Sequence, residues 1–311
     1  MKIVFMGTPD FAIPSLKLLL QSQHRVVAVV TATDKPAGRG KQLRASPVKV
    51  FAQEIGLPVL QPEKLKSPDF LQQLSAFRAD LFVVVAFRIL PAVVFEMPPA
   101  GTVNLHASLL PKYRGAAPIN WALIKGETKT GVTTFFIEEK VDTGQILLQR
   151  EVPISGDMTA GELHDLLASV GAEVLLETID GLQAGTLKPV PQVGEATSAP
   201  KLSKELGLID WTQSAITIHN LVRGLSPIPG SYTFFNGRMI KIIKSKVSDE
   251  RQSSGLAPGS VVQAGKNGPL DVQTGRGVLS LLELQPANKR VMTVAEFIRG
   301  YRVKPADRFG S

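Results

Sequence analysis

Short, almost wholly apolar runs alternate with helix-start signals through the first part of the chain. The runs are Lys2–Met6, Arg25–Thr31, Leu81–Ala86 and Gly101–Leu105. Strands with one face in water alternate apolar and polar residues, so these runs predict strands buried on both faces, as in a parallel sheet. Between them, Pro14, Ser46-Pro47 and Ser67-Pro68 predict helix starts, since Pro is favoured at the first helical position and Ser just before it. This order predicts an α/β fold with a doubly wound parallel sheet, whose ligand crevice lies at the carboxyl ends of the strands.

The same layer continues beyond residue 105. Residues 130–137 and 144–152 predict a further pair of strands, and residues 159–184 predict a long, acidic amphipathic helix that closes the domain. We therefore expect a Rossmann-like domain over residues 1–184.

The sequence pattern changes before residue 200. The stretch 185–199 is rich in Pro, Gly, Thr and Gln without a sustained period, which is typical of a linker. A helical pattern at 215–224 then precedes short strand-like runs separated by Gly, Asn and Pro turns, and these predict a small antiparallel β-barrel. We expect the linker over residues 185–205 and the barrel domain over residues 206–311.

Positive charge is concentrated in the last third of the chain. The net charge is +8, yet residues 1–200 carry 19 basic and 19 acidic side chains, while residues 201–311 carry 16 basic and 8 acidic ones. A basic domain beside a neutral one is expected when one part binds a polyanion and the other does something else. The alternative is an ordinary solvated basic surface.

Several classes of protein are disfavoured by what the sequence lacks. There is no cysteine, which excludes disulfides, thiolate metal sites and cysteine nucleophiles, and we expect no metal. The apolar runs are too short to span a membrane, and the chain turns at Thr8-Pro9-Asp10 before a signal peptide could form, so we expect a soluble, cytoplasmic protein without a membrane partner. The glycine patterns of dinucleotide and ATP phosphate sites are missing as well.

Three polar side chains remain as candidate catalytic groups. Asn104 and His106 end a predicted strand and, being two residues apart, leave the same face at the carboxyl edge of the sheet. Asp142 lies in a turn between two later strands that could return to this edge. An amide can stabilise an oxyanion, an imidazole can move a proton near neutral pH, and a carboxylate can orient the imidazole or accept a proton. The set suits acyl transfer without a covalent enzyme intermediate, although Asn-x-His and Asp-Thr-Gly are also common structural elements.

The residues around these three groups resemble those of the formyltetrahydrofolate-dependent formyltransferases. The shared motifs are Asn104-x-His106, Ser108-Leu109-Leu110-Pro111, Arg114-Gly115-Ala116-Ala117-Pro118 and Asp142-x-Gly144. The likeness extends over nearly the whole chain, through Phe5–Phe11, Lys35–Lys41, Ser46–Lys49, Lys201–Lys204, Ile209–Trp211 and Leu284–Arg290.

The resemblance implies a reaction and a set of roles. The formyl donor would be 10-formyltetrahydrofolate, and the acceptor would be the free amine of methionine esterified to initiator tRNA, as needed for translation initiation. Asn104 and His106 would stabilise the tetrahedral oxyanion, and Asp142 would orient His106 and assist proton removal. The folate would contact Phe87, Arg88, Ile89, Leu90, Ser108, Leu109, Leu110 and Pro111. The tRNA acceptor end would meet Lys35, Arg39, Lys41 and Arg44, and an oligonucleotide-binding-like barrel would contact its backbone.

One motif departs from the members that act on tRNA. Where they commonly have Tyr-Gly before Ile-Leu-Pro, this chain has Phe87-Arg88, as in the purine-pathway members. Two other functions stay open: a formyltransferase for a small amine such as an amino-sugar nucleotide, and an RNA-binding protein on a catalytically inactive scaffold. The charge asymmetry argues against the first and the intact set Asn104, His106 and Asp142 against the second. Nothing in the sequence demands more than a monomer.

Overall fold

The computed structural model describes residues 1–37, 42–251, 254–265 and 268–310. The chain divides into two units. The first comprises Met1–Ala116, Lys129–Pro153 and His164–Ala199, and the second comprises Ala117–Thr128, Ile154–Leu163 and Pro200–Ser311. Two short segments of the first 200 residues thus belong to the second unit.

The strands agree with the predicted ones to within one or two residues where a strand was predicted. They are β1 (Lys2–Gly7), β2 (Arg25–Val30), β3 (Lys35–Ala37), β4 (Gln42–Arg44), β5 (Val59–Leu60), β6 (Leu81–Val85), β7 (Thr102–His106), β8 (Arg114–Gly115), β9 (Lys129–Phe136), β10 (Ile146–Pro153), β11 (Ser198–Ala199), β12 (Ser231–Phe235), β13 (Arg238–Asp249), β14 (Val261–Ala264), β15 (Leu270–Gln273), β16 (Val278–Pro286) and β17 (Met292–Thr293).

The helices begin within one residue of the predicted starts, apart from the three at 92–95, 118–124 and 294–301, which were not predicted. They are α1 (Ile13–Gln21), α2 (Pro47–Glu54), α3 (Pro68–Ala76), α4 (Ala92–Phe95), α5 (Pro118–Ile124), α6 (Ala160–Gln183), α7 (Ala215–Leu225) and α8 (Val294–Tyr301). At α2 the Ser46 side chain accepts a hydrogen bond from the Lys49 N–H, which satisfies a backbone donor of the first turn. Within the described ranges, no helix combines the length and apolar character needed to cross a bilayer.

The main sheet of the first unit is mostly parallel. Among the described residues it has seven strands in the order β10-β9-β7-β6-β1-β2-β5. The five strands from β7 to β5 run parallel, and β9 and β10 add antiparallel partners at one side. Every residue of β6 is buried, as expected for a strand covered on both faces. The predicted Rossmann-like fold is confirmed, and the carboxyl ends of β1, β6 and β7 share one edge.

The second unit is built on an antiparallel sheet. Its strand order is β12-β13-β16-β15-β14, with β17 paired to β16, within the part of the chain that the structure describes. The terminal segment 306–310 hydrogen-bonds to both outer strands: the Gly310 N–H donates to the Phe234 carbonyl, and the Val261 N–H donates to the Asp307 carbonyl. This segment closes the sheet on itself. Helices α7 and α8 fill the interior with Ile218, Val222, Phe297 and Ile298.

Candidate active site

The strand β7 carries Asn104 and His106 to the carboxyl edge of the parallel sheet. Asn104 pairs in register with Val84 of β6, and it is half-buried. His106 is the last residue of β7 and lies two positions further along the same face. The strand therefore places an amide and an imidazole side by side where a doubly wound protein binds its ligands.

The imidazole of His106 lies between a backbone carbonyl and a carboxylate. Its Nε2 lies 2.9 Å from the carbonyl oxygen of Tyr113, and its Nδ1 lies 3.8 Å from Oδ2 of Asp142. Because a carbonyl oxygen can only accept, we assign the Nε2 atom a proton. The Nδ1 edge thus faces Asp142 across a gap longer than a direct hydrogen bond, at which a protonated, positively charged ring would be attracted to the carboxylate. The two side chains are only 7% and 12% exposed, which strengthens that attraction.

Asp142 is fixed by a different loop from its own. The Gly115 N–H donates to Oδ2 of Asp142 at 2.9 Å. This contact differs from the bond to its own turn that a structural aspartate in Asp-Thr-Gly would make. Asp142 also has a φ of 54°, in the left-handed region that non-glycine residues adopt only at an energetic cost. The sequence prediction that Asp142 returns to His106 from 36 residues away agrees with this geometry.

The turn that carries Asp142 depends on the absence of a side chain at Gly144. A Cβ atom there would lie 1.7 Å from the carbonyl oxygen of Phe136, at the end of β9. The backbone of the turn therefore approaches the strand more closely than any other residue type allows.

The segment 108–111 forms a tightly bonded loop after β7. The Ser108 hydroxyl donates to the Lys112 carbonyl at 2.6 Å, and the Ser108 carbonyl accepts from the Thr133 hydroxyl at 2.6 Å. Leu110 is buried with Phe135 and Ile146. Leu109 is half-buried, and Pro111 is buried after a cis peptide bond. Because the Ser108 hydroxyl already donates its hydrogen bond within the loop, this segment can contribute to the shape of a site but not a hydroxyl donor to a ligand.

The segment 87–90 follows the neighbouring strand β6. Phe87 packs partly on the core and Leu90 is buried in it, whereas Ile89 is 73% exposed. The Arg88 guanidinium donates to the backbone carbonyls of Pro62 and Glu63, and partial burial lowers the pKa of Arg88. Arg88 therefore ties two loops together at this edge.

Two of the four predicted tRNA-binding residues lie on a hairpin. Lys35 of β3 pairs in register with Arg44 of β4, and both side chains are exposed. Arg39 and Lys41 lie outside the described residues. A further basic residue of this stretch, Lys49, is bound instead to Asp34, with Nζ 2.7 Å from Oδ2.

Sequence reasoning missed Gln192, which lies in the stretch predicted as a linker. Its amide nitrogen donates to the backbone carbonyls of Asp142 and Gly144, each at 2.9 Å. Nearby, Thr197 accepts from the Tyr113 N–H through its hydroxyl and from the Arg114 N–H through its carbonyl. Residues 190–199 are thus part of the first unit's site architecture. No motif signals this, because most of the bonds involve backbone atoms.

The other three histidines make structural contacts. His24 lies against Asp180, with Nε2 3.0 Å from Oδ1, and His164 packs edge-on against Phe11. In the second unit, His219 lies between the Ser245 hydroxyl and the Gly156 carbonyl. Burial is the main cause that lowers the pKa of His219 below its usual value of 6.5.

The depressed pKa of His219 predicts acid sensitivity of the second unit. The unfolded chain binds a proton at this residue more readily than the folded chain, so the free energy of unfolding falls as the pH drops from 6.5 toward the lower, folded pKa. His219→Asn should flatten this dependence. Urea unfolding followed by tryptophan fluorescence measures it, because Trp121 and Trp211 both lie in the second unit.

The matched control is His24→Asn, in the first unit. It should leave the pH dependence of the tryptophan signal unchanged. Equal slopes for the parent chain and His219→Asn between pH 6.5 and 5 would contradict the assignment.

The amino-acid sequence matches a known protein family. Residues 1–179 match the family described as "Formyl transferase", and residues 201–302 match "Formyl transferase, C-terminal domain". A protein of Acetivibrio thermocellus named methionyl-tRNA formyltransferase is 49% identical, covering 100% of both chains. A protein of Ruminiclostridium cellulolyticum with the same name is 46% identical, also over 100% of both chains.

Solved structures share the fold. The crystal structure of HypX from Aquifex aeolicus in complex with tetrahydrofolic acid superimposes with a TM-score of 0.66 at 20% sequence identity. The match covers 96% of this chain but only 47% of that one. At this low sequence identity, the likeness shows a shared fold and nothing more. From the two family matches and the full-length relatives, we conclude that this chain belongs to the formyl transferase family.

Proposed function

We propose that this protein transfers the formyl group of 10-formyltetrahydrofolate to the free amino group of methionyl initiator tRNA, giving formylmethionyl-tRNA for translation initiation in the cytoplasm. The observation that carries the proposal is the meeting of Asn104, His106 and Asp142 at the carboxyl edge of β7. None of the three is a strong nucleophile, which suits direct attack by a substrate amine. The two full-length relatives described above bear the name of this activity.

In this mechanism, Asn104 and His106 act on the negative charge that develops on the formyl oxygen. The Asn104 amide offers N–H donors, and the imidazole carries positive charge once Nδ1 is protonated. The Tyr113 carbonyl holds the Nε2 side of the ring, so the ring cannot turn away when Nδ1 changes its protonation state. Donors that are fixed before the reaction stabilise such charge without a reorganisation cost.

Asp142 and His106 together manage the proton. The bond that forms joins the amine nitrogen to the formyl carbon, and the bond that breaks joins that carbon to the folate nitrogen. The amine must lose a proton and the folate nitrogen must gain one. The Asp142 carboxylate accepts the amine proton, and the protonated Nδ1 of His106 donates a proton to the folate nitrogen. The proton on Asp142 then passes to Nδ1, which restores both groups. Because the two groups stand 3.8 Å apart, no direct hydrogen bond between them ties up Nδ1.

The residues at this edge fit a folate. Apolar side chains stay exposed on two of the loops there: Ile89 is 73% exposed and Val141 is 47% exposed. A flat heteroaromatic ring can cover such surface, and the donors and acceptors of nearby backbone can orient it. When bound, the folate supplies the formyl carbon. In this proposal Phe87–Leu90 and Ser108–Pro111 shape the site, held by the Arg88 and Ser108 bonds to backbone carbonyls.

The charge distribution supports a nucleic acid as the acceptor. The last third of the chain has twice as many basic as acidic residues, and the hairpin of β3 and β4 adds exposed Lys35 and Arg44. Contacts of such side chains with phosphates give affinity that falls as salt rises. An amino-sugar nucleotide would need neither feature.

A direct assay tests the proposal and its two alternatives. The protein is incubated with 10-formyltetrahydrofolate and either charged initiator tRNA or amino-sugar nucleotides, at low and high salt. Salt-sensitive formylation of tRNA is the expected result. Salt-insensitive turnover of the small amine would show an amino-sugar formyltransferase, and tight RNA binding without turnover would show an inactive scaffold; either result would overturn the proposal.

Removing one of the cations proposed to contact tRNA should weaken use of tRNA. For Arg39→Ala and for Arg44→Ala, we expect a higher KM for tRNA and a salt dependence of binding whose logarithmic slope falls by about 1, because one phosphate contact is lost. The KM for folate should stay unchanged. Steady-state kinetics across a salt series measures both values, with the exposed Lys188→Ala as control. Unchanged tRNA kinetics in both variants would remove these two arginines from the interface.

A further inference from the structure

The side chain of Gln192 uses its whole amide to join two loops of the candidate active site. Its Oε1 accepts from Nε and Nη2 of Arg114, at 3.2 and 2.6 Å. Its Nε2 donates to the carbonyls of Asp142 and Gly144, at 2.9 Å each. A side-chain amide has one acceptor oxygen and two donor hydrogens, so Gln192 satisfies this arrangement, which a carboxylate, a hydroxyl or an ammonium group could not.

The Asp142 turn needs such a restraint. The positive φ of Asp142 is unfavourable for a residue with a side chain, and it persists only where the surroundings impose it. Gln192 bonds the carbonyl of that same residue, while the Gly115 N–H bonds its carboxylate. Since Gly115 directly follows Arg114, the Gln192 bridge fixes the donor and the acceptor of the Asp142 contact relative to each other.

We propose that Gln192 is a positioning residue for the reaction, which holds the Asp142 carboxylate at its distance from the His106 imidazole. Gln192 makes no contact with the reacting atoms in this proposal and acts only through Asp142. The inference deepens the proposed function and rests on it for the role of Asp142. The hydrogen bonds of Gln192 to Arg114, Asp142 and Gly144 exist whether or not a substrate is bound, and one of the tests below needs no substrate.

Two substitutions separate the two halves of the bridge. Gln192→Ala removes both halves. Gln192→Glu keeps an acceptor for Arg114 but replaces the donor with oxygen, which repels the Asp142 and Gly144 carbonyls. We expect kcat to fall by about tenfold or more in both variants, since displacement of a catalytic group by an ångström can cost up to about 10²-fold. Wild-type kcat in Gln192→Glu would overturn the proposal, because the contact with the Asp142 carbonyl would then be dispensable.

A double-substitution cycle shows whether Gln192 acts through Asp142. In an Asp142→Asn background, adding Gln192→Ala should change kcat by no more than about twofold, because the positioned carboxylate is already gone. A further tenfold loss in that background would mean that Gln192 supports the fold generally, and would overturn the proposal. The control Gln23→Ala removes an exposed glutamine bonded to Asp180 and should leave kcat unchanged.

Hydrogen exchange tests the bridge without a reaction. In Gln192→Ala the amide of Gly115 should exchange at least about tenfold faster, since the Asp142 carboxylate no longer holds it, while amides of β6 keep their rates. An unchanged Gly115 rate would overturn the proposal. If the wild-type protein formylated no amine at all, the proposed function would fail, and the Gly115 rate would still decide whether Gln192 positions Asp142.

Discussion

His106→Ala should lower kcat for formyl transfer by at least about 10²-fold while tetrahydrofolate binding persists. The substitution removes the proton carrier and the positive charge near the developing oxyanion. It also leaves the Asp142 carboxylate and the Tyr113 carbonyl without their shared partner. Single-turnover kinetics measures the chemical step, and calorimetric titration with tetrahydrofolate measures binding.

His164→Ala is the matched control for this prediction. Its imidazole lies on α6 against Phe11, and its loss should leave kcat unchanged. Near-normal turnover in His106→Ala would remove His106 from the mechanism.

Gly144→Ala should have a comparably large effect through the backbone alone. The new Cβ cannot coexist with the Phe136 carbonyl, so the turn must move away from β9 and carry Asp142 with it. We expect kcat to fall by about 10²-fold and the free energy of unfolding to fall by about 1–3 kcal/mol. Formylation kinetics and urea unfolding followed by circular dichroism measure the two effects.

The control for this second prediction is Gly156→Ala. Beyond the adjacent residues, no atom lies within 4 Å of the Cβ position at Gly156, so activity and stability should both be retained. A Gly144→Ala variant with normal kcat would show that the Asp142 turn tolerates displacement, and would weaken the role given to Asp142.

The sheet was predictable because burial on both faces leaves a clear signal in the sequence. Runs such as Leu81–Ala86 contain no polar position, as expected for a parallel strand between two helical layers. Helix α2 was equally clear, since Ser46 and Pro47 each satisfy a separate requirement of a helix start. Helix α8 was missed although its signal was present: Thr293 and Glu296 form a capping box three residues apart.

The candidate site was predictable only in part, for a physical reason. Asn104 and His106 follow from strand geometry, because a spacing of two fixes a shared face. Asp142 could be proposed from its turn, but its partner, the Gly115 N–H, is a backbone atom that every residue type carries. The same holds for Gln192, which bonds two carbonyls from a stretch without periodicity. A residue that takes part in a contact only through its backbone can be of any type, so the sequence does not reveal the contact.

The closure of the C-terminal sheet has a consequence for how the protein behaves at high concentration. Unpaired outer strands present a row of N–H and C=O groups that invite pairing with another chain and lead to aggregation. Here the segment 306–310 hydrogen-bonds to both outer strands, to Phe234 of β12 and to Val261 of β14. This segment therefore prevents the basic domain from pairing its outer strands with those of another copy. Its loss would leave both edges free and promote aggregation.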